Sequence, residues 1–336
     1  MKTRRKKLAV TILTAALLGL LLLPQTRVGL KTLGAALNLL VPQGNWRPLQ
    51  WLTRAPLRQQ EVIKSINGRS LTIFLFEPAG AARQARNALL IYTPLIGPGP
   101  EDPRLVNLAS TFARAGFVAA IPWRGEEQQI ITPQDVDDVV STALFLKNNP
   151  QWRVERLGLM GLSYGNGPVI VAAADPRLKE SVSFVVSFAG YFDILNAAHF
   201  VQSGEFSYEE ARGNLAPDPY AKEILNKTLN HYGIAPEKLF ESAKFGELRR
   251  ALSPAQFIDQ LKAEFFILHS TDDRYIPYTE SLRLRDALLG RVPVNFALTT
   301  IFEHGDYKKL TWGNLRGAYL PTALDFYKFL YRMFSR

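Results

Sequence analysis

The chain has no cysteine, so no disulfide and no thiolate-bound metal can brace it or do its chemistry, although this does not choose a compartment. Acidic residues are missing from the first sixty positions. That stretch carries ten of the forty lysines and arginines, which leaves thirty basic and thirty acidic residues over 61–336. The formal charge of +10 therefore sits wholly at the N-terminal end, and the body is neutral. A neutral body offers no surface for a phosphate backbone, and a nucleic-acid partner is not expected. A phosphate loop, a metal-spaced His/Glu cluster and a dinucleotide fingerprint are also lacking, so neither cofactor nor metal is expected. No internal repeat is visible.

What the N-terminus does have is a targeting pattern. Lys2, Arg4, Arg5, Lys6 and Lys7 precede sixteen uncharged residues, 8–23, rich in Leu and Ala. Such a run is a signal peptide or a short membrane anchor. It ends Leu22-Leu23-Pro24-Gln25-Thr26-Arg27 without the small-residue cleavage pattern, which favours an uncleaved anchor over 1–27. The cationic flank places the N-terminus in the cytoplasm and the body on the extracytoplasmic side; a cleaved segment would leave a secreted protein. Over 28–57 follow an amphipathic segment and a linker rich in Pro and Trp. Leu30, Leu33, Leu37, Leu40 and Val41 recur at helical spacing, with Lys31, Thr32 and Asn38 off that face. A helix lying on a membrane surface and a helix packing on the body both fit this pattern.

Residues 58–336 alternate buried-strand and helix patterns. Strands are expected at 61–66 and 71–76, joined across Asn67-Gly68, then at 88–92, 117–121, 156–160, 182–188, 264–268 and 294–301. Helices are expected at 105–115, 135–146, 168–174, 279–289 and 318–334. The alternation fails over about 192–260, which has helical stretches and no strand of buried character. The expected fold is α/β: a mainly parallel central sheet with helices on both faces and a helical cap inserted between two strands.

Gly161-Leu162-Ser163-Tyr164-Gly165 reads G-x-S-x-G between an apolar strand and a helix, the setting in which a serine becomes a nucleophile. The hydroxyl needs a base, and the base needs an acid to fix its tautomer. Both types appear later, each just beyond a strand: His269-Ser270-Thr271-Asp272-Asp273 and Phe302-Glu303-His304-Gly305-Asp306.

Here the chain resembles the α/β-hydrolase superfamily over about residues 60–334. His269, Asp273, Ile276 and Pro277 match that superfamily's H-G-x-x-D-x-x-V-P pattern with Ser270 in place of its glycine, and His304 falls where its histidine does. Gly305 follows that histidine, where many members have a glycine before it. The order Ser163, Asp273, His304 is the family's order of nucleophile, acid and base. For the acid, the spacing to Ile276-Pro277 favours Asp273 over Asp272, which reads as a turn residue. Asp193 is a further alternative, because some members take the acid from that position. His199 and His231 fall in the cap, and His269 reads as structural. The resemblance implies an oxyanion hole made by the N–H of Tyr164 and one from the loop after the third strand. There Thr93-Pro94-Leu95 replaces the usual His-Gly, and since proline has no N–H, Leu95 is the second donor. Arg124-Gly125 resembles the family's R-G loop and equally an ordinary surface turn. Of the cap aromatics Phe200, Phe206, Tyr208, Tyr220, Tyr232, Phe240 and Phe245, some are expected at an apolar pocket, though packing within the cap explains them as well. The expected activity is hydrolysis of an ester or related acyl bond of a small molecule. Acyl transfer and peptide cleavage use the same groups, and a non-catalytic binding protein is the reading from another class.

Overall fold

A computed structural model describes residues 24–40, 47–80, 87–95, 98–125, 129–309 and 311–335. The apolar run at 8–23, Val41 and the first part of the linker lie outside the described residues.

Continuous apolar runs build the centre of the sheet because both of its faces are covered. Strands β1 (Leu57–Lys64), β2 (Ser70–Glu77), β3 (Asn87–Tyr92), β4 (Phe117–Trp123), β5 (Arg156–Leu162) and β6 (Val182–Phe188) come first. Beyond the insertion come β9 (Glu264–Ser270) and β10 (Val294–Thr299). The eight lie in the order β1-β2-β4-β3-β5-β6-β9-β10. The first three in this order pair antiparallel and the rest parallel. The turn between β1 and β2 closes through Gly68 N–H to the Ser65 carbonyl at 2.8 Å, with Gly68 at φ +85°, the conformation that Asn-Gly invites.

Two helical layers cover the sheet. On one face lie α4 (Gln134–Asn148), α5 (Asn166–Ala174) and α9 (Thr279–Leu288), on the other α3 (Pro103–Ala115) and α10 (Leu320–Phe334). Helix α3 shows how local sequence sets the ends. Asp102 accepts from Arg104 N–H, Pro103 occupies the first turn, and Gly116 at φ +107° stops the helix.

Helix α1 (Pro24–Leu40), followed by the short α2 (Pro48–Leu52), packs against α3 and α10. Its buried side only partly matches the expected leucine face: Leu40 is buried and Leu37 half-buried. Ala35, Ala36, Leu39, Thr32 and Asn38 are buried while Leu30 and Leu33 are exposed. Asn38 tolerates burial because its amide donates to Thr111 Oγ1 at 2.5 Å and Asn107 Oδ1 at 3.1 Å.

Between β6 and β9 stand α6 (Ile194–Ser203), an outlying hairpin of β7 (Glu205–Tyr208) and β8 (Ala211–Asn214), α7 (Pro219–Tyr232) and α8 (Ala243–Leu252). The hairpin is the one departure from an all-helical insertion, and its residues are largely exposed. Phe200, Ile224, Leu229, Phe245 and Leu248 give this region its own core, which is continuous with Leu95, Tyr164 and Tyr191 below it.

Candidate active site

Strand β5 ends at Leu162, and Ser163–Gly165 forms one tight turn before α5. The left-handed conformation falls on Ser163, at φ +56°, and on neither flanking glycine. A non-glycine residue held there stores strain that its surroundings must maintain. The glycines serve close approach instead. A Cβ on Gly161 would lie 2.5 Å from Asn166 Cα, and one on Gly165 would lie 2.3 Å from the Tyr92 carbonyl oxygen.

The turn presents Ser163 Oγ to His304, whose Nε2 lies 2.7 Å away. His304 Nδ1 is 2.8 Å from Asp273 Oδ2. Because a carboxylate only accepts, Nδ1 carries the proton, and Nε2 is left to accept from the serine hydroxyl. His304 is itself left-handed, at φ +52°. It sits in the turn between the two-residue strands β11 (Phe302–Glu303) and β12 (Asp306–Tyr307). The Tyr275 ring stacks on its imidazole, with centroids 4.2 Å apart and planes 15° from parallel, which fixes the ring's tilt.

Asp273 is fully buried. Its Oδ1 accepts from the N–H groups of Tyr275 at 2.8 Å and Ile276 at 3.1 Å. Burial works against the carboxylate, but His304 and His269 outweigh it and hold the carboxyl well below the ordinary carboxylate range. His269, equally buried, lies with Nε2 3.3 Å from Asp273 Oδ2 and 3.0 Å from the Ile276 carbonyl. Both of these accept, so Nε2 carries the proton and Nδ1 accepts from Ser281 Oγ at 2.7 Å.

The two other acids are engaged elsewhere. Asp272 is 44% exposed and pairs with Lys308. Asp193 caps α6 through Leu195 N–H and pairs with Arg249 at 2.6 Å. His199 bonds Ser203 and His231 packs edge-on to Tyr232, both within the cap. Arg124 is not part of a surface turn: its guanidinium is nearly enclosed, pairs with buried Asp135 and donates to the Ile130 carbonyl.

Tyr164 N–H opens the turn that leads into α5, where the first amides have no partner within the helix and the helix dipole favours negative charge. Leu95 lines the same cavity as Ser163, and its carbonyl accepts from the cap's Tyr220 hydroxyl at 2.8 Å. The Tyr164 phenol is raised above its ordinary pKa by burial and by the charge of Asp273, so it stays neutral.

Ser163 and His304 open into an apolar cavity of about 390 Å³. Of the seven cap aromatics only Tyr220 reaches it. Phe200 and Phe245 fill the cap's core, Phe240 faces solvent, and the Tyr232 hydroxyl donates to the Ile131 carbonyl. The apolar wall comes instead from the sheet and from α3 and α10, through residues such as Met160, Val186, Phe112 and Phe329.

No family profile and no curated protein matches the chain, but solved structures do. The dipeptidyl peptidase 4 of Porphyromonas gingivalis superposes with a TM-score of 0.55 at 16% identity, over 83% of this chain and 36% of its own. The acylaminoacyl peptidase of Pyrococcus horikoshii gives 0.54 at 17% identity, over 87% and 43%. An esterase of Pyrococcus furiosus gives 0.53 at 12% identity, over 86% and 94%. The chain has the α/β-hydrolase fold. It spans less than half the length of the two peptidases and nearly all of the esterase.

Two contacts at this site were not read from the sequence. The contact of His269 with Asp273 could have been sought at their four-residue spacing across a strand end. The stacking of Tyr275 on His304 joins loops thirty residues apart, and no local pattern signals it.

Proposed function

We propose that the protein is a serine hydrolase that cleaves a carboxylic ester or related acyl bond. The observation that carries this reading is the pair of bonds linking Ser163 Oγ, His304 and Asp273 at 2.7 and 2.8 Å at the mouth of an apolar cavity. Ser163 Oγ attacks the acyl carbon while His304 Nε2 takes its proton. Oxygen charge develops beside the N–H groups of Tyr164 and Leu95, whose fixed dipoles need no reorganisation. Collapse expels the alcohol, protonated by His304, and leaves an acyl group on Ser163. Water, activated by the same imidazole, then releases the acid. Asp273, already ionised by its surroundings, holds the tautomer and stabilises the imidazolium. A fluorophosphonate probe should label the protein, and Ser163→Ala should abolish the label; labelling that survives the substitution would falsify the assignment.

Peptide cleavage is the second reading, favoured by the peptidases among the structural neighbours. Aryl esters assayed beside peptide and lactone substrates separate these readings.

We also propose that residues 8–23 tether the chain to a membrane with the body on the extracytoplasmic side. Among the described residues no helix is long and apolar enough to cross a membrane, so the tether rests on the sequence. Exposed Leu30 and Leu33 on α1, and Leu320 and Leu324 on α10, support a body that lies against the lipid surface. Tyr327 Oη donates to the Gly29 carbonyl at 3.4 Å, which places Leu30 and Leu324 within about one helical turn of the same contact. Carbonate washing of membranes tests the tether; release of the full chain into the wash would contradict it.

A further inference from the structure

The cavity beneath Ser163 has a depth, a floor and a lining that together describe a ligand. Residues of one parity on each strand face α3 and α10. Leu162, Phe188 and Leu268 stand level with one another at the top of this face, next to Ser163. Met160 and Val186 form the next level down, and all five line the cavity. One level lower, Gly158 is covered by the Phe184 ring so closely that a Cβ on Gly158 would fall 2.1 Å from the ring. Phe184 packs edge-on against Phe117 and Phe266, and none of these rings lines the cavity, so it does not extend to this level. The cavity thus descends three residues along β5, about 10 Å at about 3.3 Å per residue.

The opposite wall is equally apolar. It is made by Phe112 of α3, by Phe326, Phe329 and Met333 of α10, and by Leu39 of α1. Every charged or titratable group at the cavity lies near Ser163 at its mouth, with none on the lower strand levels. The cavity of about 390 Å³ is open at its mouth, and apolar cavities less than half that size take up hydrocarbon ligands when lined this way. At about 30 Å³ per water-sized group, it holds about a dozen methylene-sized groups.

We infer that the substrate is an ester carrying an unbranched hydrocarbon chain of about eight to twelve carbons on one side of the scissile bond. The chain threads between the sheet and helices α3 and α10 instead of under the cap. This inference rests on the reading of Ser163 as the nucleophile.

The test uses the full chain and two panels of esters, with the acyl or the alcohol chain varied from two to sixteen carbons. On one panel kcat/KM should rise at least about ten-fold from the shortest chain to an optimum near eight to twelve carbons and then fall. Val186→Phe, which fills the second level, should lower the ten-carbon to two-carbon ratio by about ten-fold or more. Met333→Ala, which lengthens the space, should move the optimum to longer chains. A binding arm is independent of turnover and of whether the filled variant folds: Ser163→Ala protein should bind decanoate and not acetate by calorimetry. Ser163-dependent turnover that is fastest on the shortest ester in both panels overturns the chain-site inference and leaves the hydrolase reading intact. Decanoate binding with no ester turnover overturns the hydrolase reading and leaves the chain site standing. Absence of decanoate binding overturns the chain site outright.

Discussion

The two layers that flank Ser163 divide the work differently from what their compositions suggest. The cap is rich in aromatics and lies over the site, yet Phe200 and Phe245 fill the cap's own core, and of its aromatics only Tyr220 reaches the cavity, beside Ala221 and Ile224. The face formed by β5, β6, α3 and α10 looks like ordinary core, yet it holds the space. An insertion with few neighbours must first bury its own apolar surface to fold, and that consumes its large side chains. A sheet covered by long helices has apolar surface to spare and can leave a gap. Enclosure and accommodation are therefore separate properties.

The largest test of this comparison is at the acid. Asp273→Asn should cut kcat by about 10³–10⁴-fold with a nearly unchanged KM, because the His304 tautomer is lost. Asp272→Asn, one residue away and outside the hydrogen-bonded set, should stay within a few-fold. Steady-state kinetics on one ester checks both, and equal losses would remove the distinction between the two carboxylates.

Next comes stability within the cap. Phe200→Ala should cost about 3–5 kcal/mol of unfolding free energy without moving the chain-length optimum, as read by denaturant titration beside the ester panel. A shifted optimum would put the cap back into the hydrocarbon site.

Glu280 ties the cap to the helical layer on the other face of the sheet. It lies on α9, and its carboxylate accepts from the N–H groups of Phe192 and Asp193 and from Asn196, where the cap begins. Burial outweighs those donors and nearby Arg283, and raises its pKa to about 7. The unfolded carboxyl releases its proton near its ordinary value, below the folded one. Between these two values the folded state binds more protons, so this group's contribution makes stability fall as pH rises from about 4.5 to about 7. The full loss, about 3 kcal/mol, is present above pH 7. Glu280→Gln should flatten that part of the stability profile. A wild-type minus variant difference that stays constant across the window would show that Glu280 does not titrate there.

The smallest effect belongs to the exposed leucines of α1. Leu30→Ser with Leu33→Ser should change unfolding free energy by about 0.5 kcal/mol or less, yet weaken adsorption of protein lacking residues 1–23 to anionic vesicles. Unchanged adsorption in a flotation assay would detach α1 from any role at a lipid surface.

The strands, the mainly parallel sheet and the placing of Ser163 at a strand end were legible from local pattern, and Asp273 and His304 from strand ends together with the family resemblance. The order of the strands was not, because it depends on long-range pairing. Nor was the buried face of α1. Periodicity groups Leu30 and Leu33 with Leu37 and Leu40, of which Leu40 is buried and Leu30 and Leu33 are not, while Thr111 and Asn107 offer Asn38 partners that no reading of the helix alone can supply. The cavity was invisible for a related reason. Met160, Val186 and Leu268 are patterned like any core residue, and whether space remains between them depends on the helix opposite. Tyr220 could not be told from the other cap aromatics, since its difference is a contact with the Leu95 carbonyl 125 residues away.

The most direct test of the central claim is mass spectrometry of the full chain quenched after brief exposure to p-nitrophenyl decanoate. The account predicts a decanoyl adduct on the peptide containing Ser163 that is absent from Ser163→Ala. Ester turnover that persists in Ser163→Ala, or an adduct that maps to another residue, would contradict it.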